Sequence, residues 1–132
     1  MNSPLFRAIH HVALICSDIE RSKVFYRDVL GFRVIREVYR EARDSWKIDL
    51  DVGQGAQLEL FSFPSSPPRP SRPEARGLRH LAFAVPAIDA TVIELGRRGV
   101  DCEPVRVDEY TGSRFTFFAD PDGLPIEIYE VR

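Results

Sequence analysis

Apolar and polar residues near the start of the chain follow a pattern that predicts a strand and then a helix. The segment AIHHVALIC, residues 8–16, is a continuous apolar run of strand length. Ser17 and Glu20 follow with the spacing of a capping box, so we predict a helix that starts at about residue 18. Gly31 suits a left-handed C-terminal cap and should end this helix. Its predicted apolar face consists of Ile19, Val24, Phe25, Val29 and Leu30.

Three further strands are predicted before residue 64. FRVIREVY follows the helix directly, and SWKIDLDV alternates strictly between apolar and polar residues. Such alternation is typical of a half-buried antiparallel strand, here with Trp46, Ile48, Leu50 and Val52 on the apolar face. GQG then makes a turn into AQLELFSF. The first half of the chain is therefore predicted to be βαβββ.

The second half repeats this order after a proline-rich segment. Five prolines between Pro64 and Pro73 exclude a helix interior or a central strand there. Beyond it, LRHLAFAV predicts a strand, AIDATVIELGRRG a helix, and VDCEPVRV, SRFTFFAD and LPIEIYEV three strands, with a PDG turn before the last. We predict one α+β domain over residues 1–132, made of two βαβββ repeats, 5–63 and 77–132, and a connector, 64–76.

When the two repeats are aligned, a histidine in the first strand and a glutamate in the last strand of each repeat fall at matching positions. His11 and Glu59 lie at nearly the same separation as His80 and Glu127, and alanines follow each histidine two positions on, at Ala13 and Ala82. A carboxylate in an apolar strand is costly unless a cation or hydrogen bonds compensate it. One such histidine or glutamate alone is more often structural than a ligand. The repetition favours a shared divalent transition metal held by two imidazoles and two carboxylates.

Composition narrows the range of partners. The 132 residues are 44% hydrophobic, enough for a real core, and 18 basic against 20 acidic residues give a net charge of −2. The charges are scattered, so we expect neither nucleic acid nor a membrane surface as a partner, but a small molecule. Cys16 and Cys102 lie in apolar runs without metal or redox spacing. With no apolar run of transmembrane length, the expected location is the cytoplasm.

Two long motifs resemble a known family. HVALICSDIERSKVFYRDVLGF resembles the first strand and helix of the vicinal oxygen chelate superfamily, and FFADPDGLPIEIYE is similar to its closing motif. The chain resembles the glyoxalase I (lactoylglutathione lyase) group in particular, and within it the branch of small bacterial YaeR-type proteins. This resemblance implies the glyoxalase/bleomycin resistance/dihydroxybiphenyl dioxygenase fold. In that fold, paired βαβββ modules form a metal-binding cleft, often in a homodimer.

The resemblance also implies a reaction and roles for the four aligned residues. His11, Glu59, His80 and Glu127 correspond to the ligands of one divalent metal ion, which can be Ni, Zn, Co or Mn. The family reaction, which detoxifies methylglyoxal, converts the hemithioacetal of an α-oxoaldehyde into a 2-hydroxyacyl thioester. The metal stabilises the enediolate, and a ligand glutamate shuttles the proton. By position, Glu127 is the predicted base and Glu59 the opposite catalytic carboxylate.

The identity of the thiol co-substrate is a separate question. Family enzymes that use glutathione carry an arginine four residues after the first histidine and an asparagine four residues after the first glutamate, whereas this chain has Ile15 and Phe63. Arg76, four residues before His80, does match a glutathione-contacting arginine. We therefore expect a low-molecular-weight thiol as the co-substrate, with poor use of glutathione. The predicted substrate-binding residues are Arg76, Arg43, Trp46, Arg114 and Phe115.

Three alternatives stay open beside the glyoxalase-type lyase. An extradiol dioxygenase would hold Fe(II) with His11, His80 and Glu127, and a thiol transferase acting on fosfomycin would use the same three. Glu59 argues against both, because a fourth protein ligand fills the position that oxygen or the antibiotic would take. A binding protein that sequesters bleomycin is the third alternative. Such proteins normally lack the metal ligands that this chain retains.

Overall fold

A computed structural model describes residues 3–132 of the chain. The chain divides into two compact units, Met1–Ser66 and Pro67–Arg132. Each contains a four-stranded sheet and a helical segment between its first two strands. The structure confirms the two predicted βαβββ modules.

The first unit contains strands β1 to β4 and helix α1. A π-helical turn at Phe25–Val29 continues α1, and a 3₁₀ turn at Glu41–Arg43 precedes β3. The sheet order is β1-β4-β3-β2, with β1 parallel to β4 and the other neighbours antiparallel. The elements span β1 His11–Ile15, α1 Ile19–Val24, β2 Arg33–Arg40, β3 Ser45–Gly53 and β4 Ala56–Phe61.

The second unit repeats this topology with strands β5 to β8 and helix α2. Its sheet order is β5-β8-β7-β6, and β5 is parallel to β8 while β7 is antiparallel to both of its neighbours. The elements span β5 Leu81–Val85, α2 Ile88–Arg97, β6 Arg106–Val107, β7 Arg114–Ala119 and β8 Pro125–Glu130.

Each unit buries one face of its sheet. In the first unit the buried residues include Ile48, Leu50, Leu58 and Leu60, and the Tyr26 side chain is fully buried as well. In the second unit the buried apolar residues include Ile88, Leu95, Phe118, Ile126 and Ile128. Alternation along the strands directs the remaining side chains to the opposite face. The predicted ligands lie on that opposite face.

The first helix differs from the sequence prediction in its cap and in its buried face. Asp18, not Ser17, is the N-cap, and its carboxylate accepts a hydrogen bond from the backbone N–H of Arg21 at 3.1 Å. Ser22 and Tyr26 are fully buried, whereas Val24 is 45% exposed. Ser22 and Tyr26 follow Ile19 at helical spacing, i+3 and i+7, so they share its face. The prediction passed over Ser22 because it is polar and chose the apolar Val24, which lies off that face. The helical segment does end at Gly31, whose φ is +86°.

Two further predictions on strands need correction. VDCEPVRV forms only the two-residue strand β6, because residues 100–105 do not adopt regular structure. In β3, the polar face is not solvated throughout, since Ser45 and Asp49 are buried and Trp46 on the apolar face is 45% exposed. Within residues 3–132, no helix combines the length and apolar character that crossing a membrane requires.

Candidate metal centre and substrate pocket

His11 and Glu59 lie next to each other on the parallel pair β1 and β4. The Nδ1 atom of His11 is 3.5 Å from a carboxylate oxygen of Glu59. The Glu59 side chain is only 13% exposed, and the His11 side chain is 42% exposed. Continuous hydrogen bonding between β1 and β4 fixes this pair, because both backbones belong to one sheet.

His80 and Glu127 form the matching pair in the second unit. The Nε2 atom of His80 is 3.1 Å from Oε1 of Glu127, and both side chains are mostly buried. The His80 ring also meets the ring of Phe117 edge to face, with their centroids 5.1 Å apart. Phe117 is the direct cross-strand partner of Glu127, so the aromatic ring and the carboxylate lie on the same sheet face.

The strand register explains why alanine follows each histidine. Ala13 is paired with Glu59 in the first sheet, and Ala82 is paired with Glu127 in the second. A larger side chain at either position would stand directly beside the carboxylate. The small methyl groups therefore leave space next to both glutamates, in the same way in both units.

The two units differ in the residue that is paired with the glutamate across the antiparallel strands. This residue is Asp49 for Glu59 and Phe117 for Glu127. Glu59 is paired with Asp49, a buried carboxylate that contacts Lys47 at 2.9 Å and Arg36 at 2.9 Å. Burial by itself raises the pKa of Asp49, but hydrogen bonds and charge from Lys47 and Arg36 outweigh this effect, so its pKa lies below the ordinary value. The Lys47 ammonium also lies 3.9 Å from Glu59. Glu59 thus has a cationic neighbour within its own unit.

His10 contacts the predicted ligand His11 directly. Their Nδ1 atoms are 2.9 Å apart and the rings meet at 86°. In a regular strand, adjacent residues such as His10 and His11 point to opposite faces. Because β1 begins at His11, that alternation does not apply to His10. The HH dipeptide itself was the available signal for this contact.

The predicted ligands therefore occur as two His–Glu pairs. Within residues 3–132, no group of three or more histidine, cysteine, aspartate and glutamate side chains is arranged to hold a metal ion. Histidine nitrogens and carboxylate oxygens are suitable donors for a divalent transition metal.

A pocket of about 770 Å³ adjoins the His80–Glu127 pair in the second unit. Phe115 and Phe117 form part of its wall, and Arg106 lies over both rings. The segment 69–75 lines another side, and Arg69 holds this segment by donating hydrogen bonds to the carbonyl oxygens of Leu78 and Arg79. Arg106 was missed in the sequence analysis, because β6 is too short to show alternation.

The predicted substrate-binding residues do not gather at this pocket. Phe115 lines it, whereas Arg76 and Arg114 are not among the described residues of its wall. Arg114 precedes Phe115 and so lies on the other sheet face, paired with Glu130 and Asp89. In the first unit, Trp46 contacts Tyr39, and Arg43 lies 5.3 Å from the ring centroid of Phe63.

The two positions that differ from glutathione-dependent enzymes, Ile15 and Phe63, both carry apolar side chains. Ile15 is 59% exposed at the end of β1. Phe63 stacks on Phe61 beneath the Arg43 guanidinium. Neither side chain has a polar atom to offer a peptide.

The sequence matches the family model of the Glyoxalase/Bleomycin resistance protein/Dioxygenase superfamily over residues 8–128. The chain belongs to this superfamily. Its similarity to the uncharacterized protein YaeR of Escherichia coli K12 is 60% identity over 94% of this chain and 96% of that protein. It is also 57% identical to the uncharacterized protein YwkD of Bacillus subtilis, over 96% of this chain and 98% of that protein. The crystal structure of a glyoxalase family protein from Enterococcus faecalis superposes with a TM-score of 0.90 and 47% identity, covering 96% of this chain and 100% of that one.

More distant superfamily relatives carry names from three reaction types. They include a 2-epi-5-epi-valiolone epimerase of Actinomyces at 28% identity, catechol-2,3-dioxygenase of Bacillus subtilis at 31% and glyoxylase I 4 of Arabidopsis thaliana at 28%. The chain spans only 41% of that dioxygenase. Members of the superfamily are typically enzymes and commonly bind a divalent metal.

Proposed function

We propose that this chain is a metal-dependent lyase or isomerase of the glyoxalase I type. Its substrate would be a hemithioacetal or another small molecule with two vicinal oxygens, in a homodimeric protein of the cytoplasm. The observation that supports this proposal is the repeated His–Glu pair, with contact distances of 3.5 Å and 3.1 Å and an alanine beside each carboxylate.

The donor atoms present are suited to the proposed metal. His11, Glu59, His80 and Glu127 would together hold one divalent ion such as Ni, Zn, Co or Mn. A bound ion of this kind supplies Lewis-acid chemistry, which polarises a substrate oxygen. The site requires both pairs, which one chain or two chains of the homodimer can contribute.

Glu127 is the proposed base, because it lines the pocket with His80 whereas Glu59 is not among the described residues of that wall. Its carboxylate would take the proton from the substrate carbon that bears the hydroxyl and the sulfur, and return it to the neighbouring carbonyl carbon. The hydroxyl proton moves to the other oxygen, so the reaction is an isomerisation without an external oxidant. Glu59, beside Lys47, would remain as the opposite carboxylate.

Metal content and turnover of matched variants test this proposal. Purified protein should contain about one transition-metal ion per chain, and His80→Ala should lose most of it because one donor is removed. Glu127→Gln should lower turnover per bound metal ion by about 10² or more, the usual contribution of a general base. Glu109→Gln, on an exposed loop, is the control.

Methylglyoxal would be supplied with a panel of thiols, and glutathione should be among the poor co-substrates since Ile15 and Phe63 offer it no polar contact. Full metal content in His80→Ala, or unchanged turnover in Glu127→Gln, would contradict the proposal. Efficient turnover with glutathione, near 10⁴ M⁻¹s⁻¹ or above, would contradict only the thiol expectation.

A further inference from the structure

Arg106 lies on the same sheet face as the proposed base. It is the direct cross-strand partner of Phe115 in the β6–β7 pair, and residues paired in this way share a face. Two residues further along β7, Phe117 is paired with Glu127. The register of the sheet therefore places Arg106, Phe115, Phe117 and Glu127 on one surface.

Aromatic rings connect the guanidinium to the His80–Glu127 pair. The Arg106 guanidinium carbon is 5.0 Å from the ring centroid of Phe115 and 5.8 Å from that of Phe117. Phe117 in turn meets the His80 ring at 5.1 Å. These rings form an apolar wall that has a cation at one end and the proposed reacting groups at the other.

Arg106 differs from two other arginines of this pocket, Arg69 and Arg79, in its partners. Arg79 pairs with Glu74 at 3.0 Å, and Arg69 is held by backbone carbonyls and the Ser71 hydroxyl. Among the described residues, the ion-pair partner of Arg106 is Glu103 at 3.9 Å, which is longer than a hydrogen bond. The planar N–H groups of Arg106 thus keep their capacity for a bidentate acceptor.

The charge of the pocket sets the type of acceptor. Four arginines and four carboxylates line the same space, so their formal charges balance and the pocket has no excess of positive charge for a dianion. The carboxylates are those of Glu74, Asp101, Glu103 and Glu127. A carboxylate carries one charge and has the planar geometry that matches a guanidinium. We propose that the substrate carries a carboxylate at the end remote from its vicinal oxygens, and that Arg106 binds this carboxylate. This inference rests on the proposed metal-dependent function.

A pair of matched ligands tests the role of Arg106 directly. Catechol and 3,4-dihydroxybenzoate both have vicinal oxygens on a flat ring, and only the second carries a carboxylate opposite them. Their binding would be measured by titration calorimetry on the full-length protein loaded with Zn²⁺, which has no redox chemistry. We expect 3,4-dihydroxybenzoate to bind about tenfold more tightly than catechol, or better, as a charge-assisted hydrogen bond would provide.

Substitutions at position 106 should change this ratio and little else. Arg106→Leu keeps apolar contact with the phenylalanine rings, so it should bring the two affinities together while catechol affinity stays the same. Arg106→Lys keeps the charge without the planar fork and should retain part of the preference. Arg97→Ala, on the exposed side of α2, is the control and should preserve the full ratio.

The outcomes separate this inference from the proposed function. Equal affinities in the wild type, or a preference that survives Arg106→Leu in a folded protein, would overturn the role of Arg106. Failure of both ligands to bind the Zn²⁺-loaded protein would instead contradict the metal site on which the inference rests. His80→Ala should abolish binding of both ligands, since it removes a proposed metal donor.

Discussion

At the scale of single residues, Asp49 shows how charge is arranged behind the candidate ligand Glu59. Its carboxylate is buried on β3 and is compensated by Lys47 on the same strand and by Arg36 on β2. Lys47 also reaches toward Glu59. The strict alternation of SWKIDLDV predicted a solvated aspartate, because the sequence pattern does not reveal which polar residue its neighbouring strands cover.

Replacing Asp49 tests this arrangement. Asp49→Asn should lower the free energy of unfolding by about 1 to 3 kcal/mol, because it leaves two cations without their shared partner. The folded-state pKa of Asp49 is lowered, so its contribution is complete above the unfolded pKa of about 3.9 and is lost as the pH falls through the folded pKa. Denaturant unfolding at neutral and acid pH measures both effects.

Asp28→Asn provides the matched comparison, since Asp28 is a half-exposed carboxylate paired with an arginine. This substitution should lower the free energy of unfolding much less than Asp49→Asn does, because solvent screens an exposed ion pair. Equal losses in the Asp49 and Asp28 variants would show that burial of Asp49 has no energetic effect.

At the scale of elements, helix α2 depends on a strand for its N-terminal cap. Ala87 occupies the N-cap position in an extended conformation and has no side chain that could accept a hydrogen bond. The Glu130 carboxylate on β8 accepts from the backbone N–H of Ile88 at 2.9 Å and also contacts Arg114. The helix and the last strand are therefore joined at a point that no local motif predicts.

Glu130→Gln should weaken this junction. A neutral amide lacks the charge that favours the helix N-terminus and Arg114, so we expect the thermal midpoint to fall by about 2 to 6 °C. The pKa of Glu130 is lowered by the Ile88 N–H and then by Arg114, so the wild-type advantage should be complete above its unfolded pKa and disappear as the pH drops through the folded value. Differential scanning calorimetry across acid pH measures this change.

A local cap should compensate for that substitution. Ala87→Ser places a hydroxyl at the N-cap, where the backbone is already extended, and should restore part of the midpoint in the Glu130→Gln protein. No recovery in the double variant would indicate that Glu130 acts mainly through Arg114 and not as a cap.

At the scale of the whole molecule, the two His–Glu pairs are equivalent positions of a repeated module. A metal held by all four residues would bind the folded protein and not the unfolded chain, and would therefore stabilise it by mass action. We expect removal of metal with EDTA to lower the thermal midpoint by several degrees and Zn²⁺ to restore it. His11→Ala should show a much smaller response to either reagent.

Analytical ultracentrifugation tests the assembly. The proposed homodimer should sediment at twice the chain mass of 15.1 kDa. A wild-type midpoint that is the same with EDTA and with Zn²⁺ would argue against a metal linked to folding.

The sequence by itself determined the repeated βαβββ order and the two histidines and two glutamates that align in it. It could do so because apolar periodicity, turn residues and ligand-type side chains are local properties that survive in a one-dimensional pattern. Only the tertiary structure decided that Arg106 faces the pocket and Arg114 does not, that Glu130 caps α2, and that Asp49 is buried. Each of these depends on how a strand is aligned with its neighbouring strand or helix, and within a sheet a shift of one residue reverses the face on which a side chain lies.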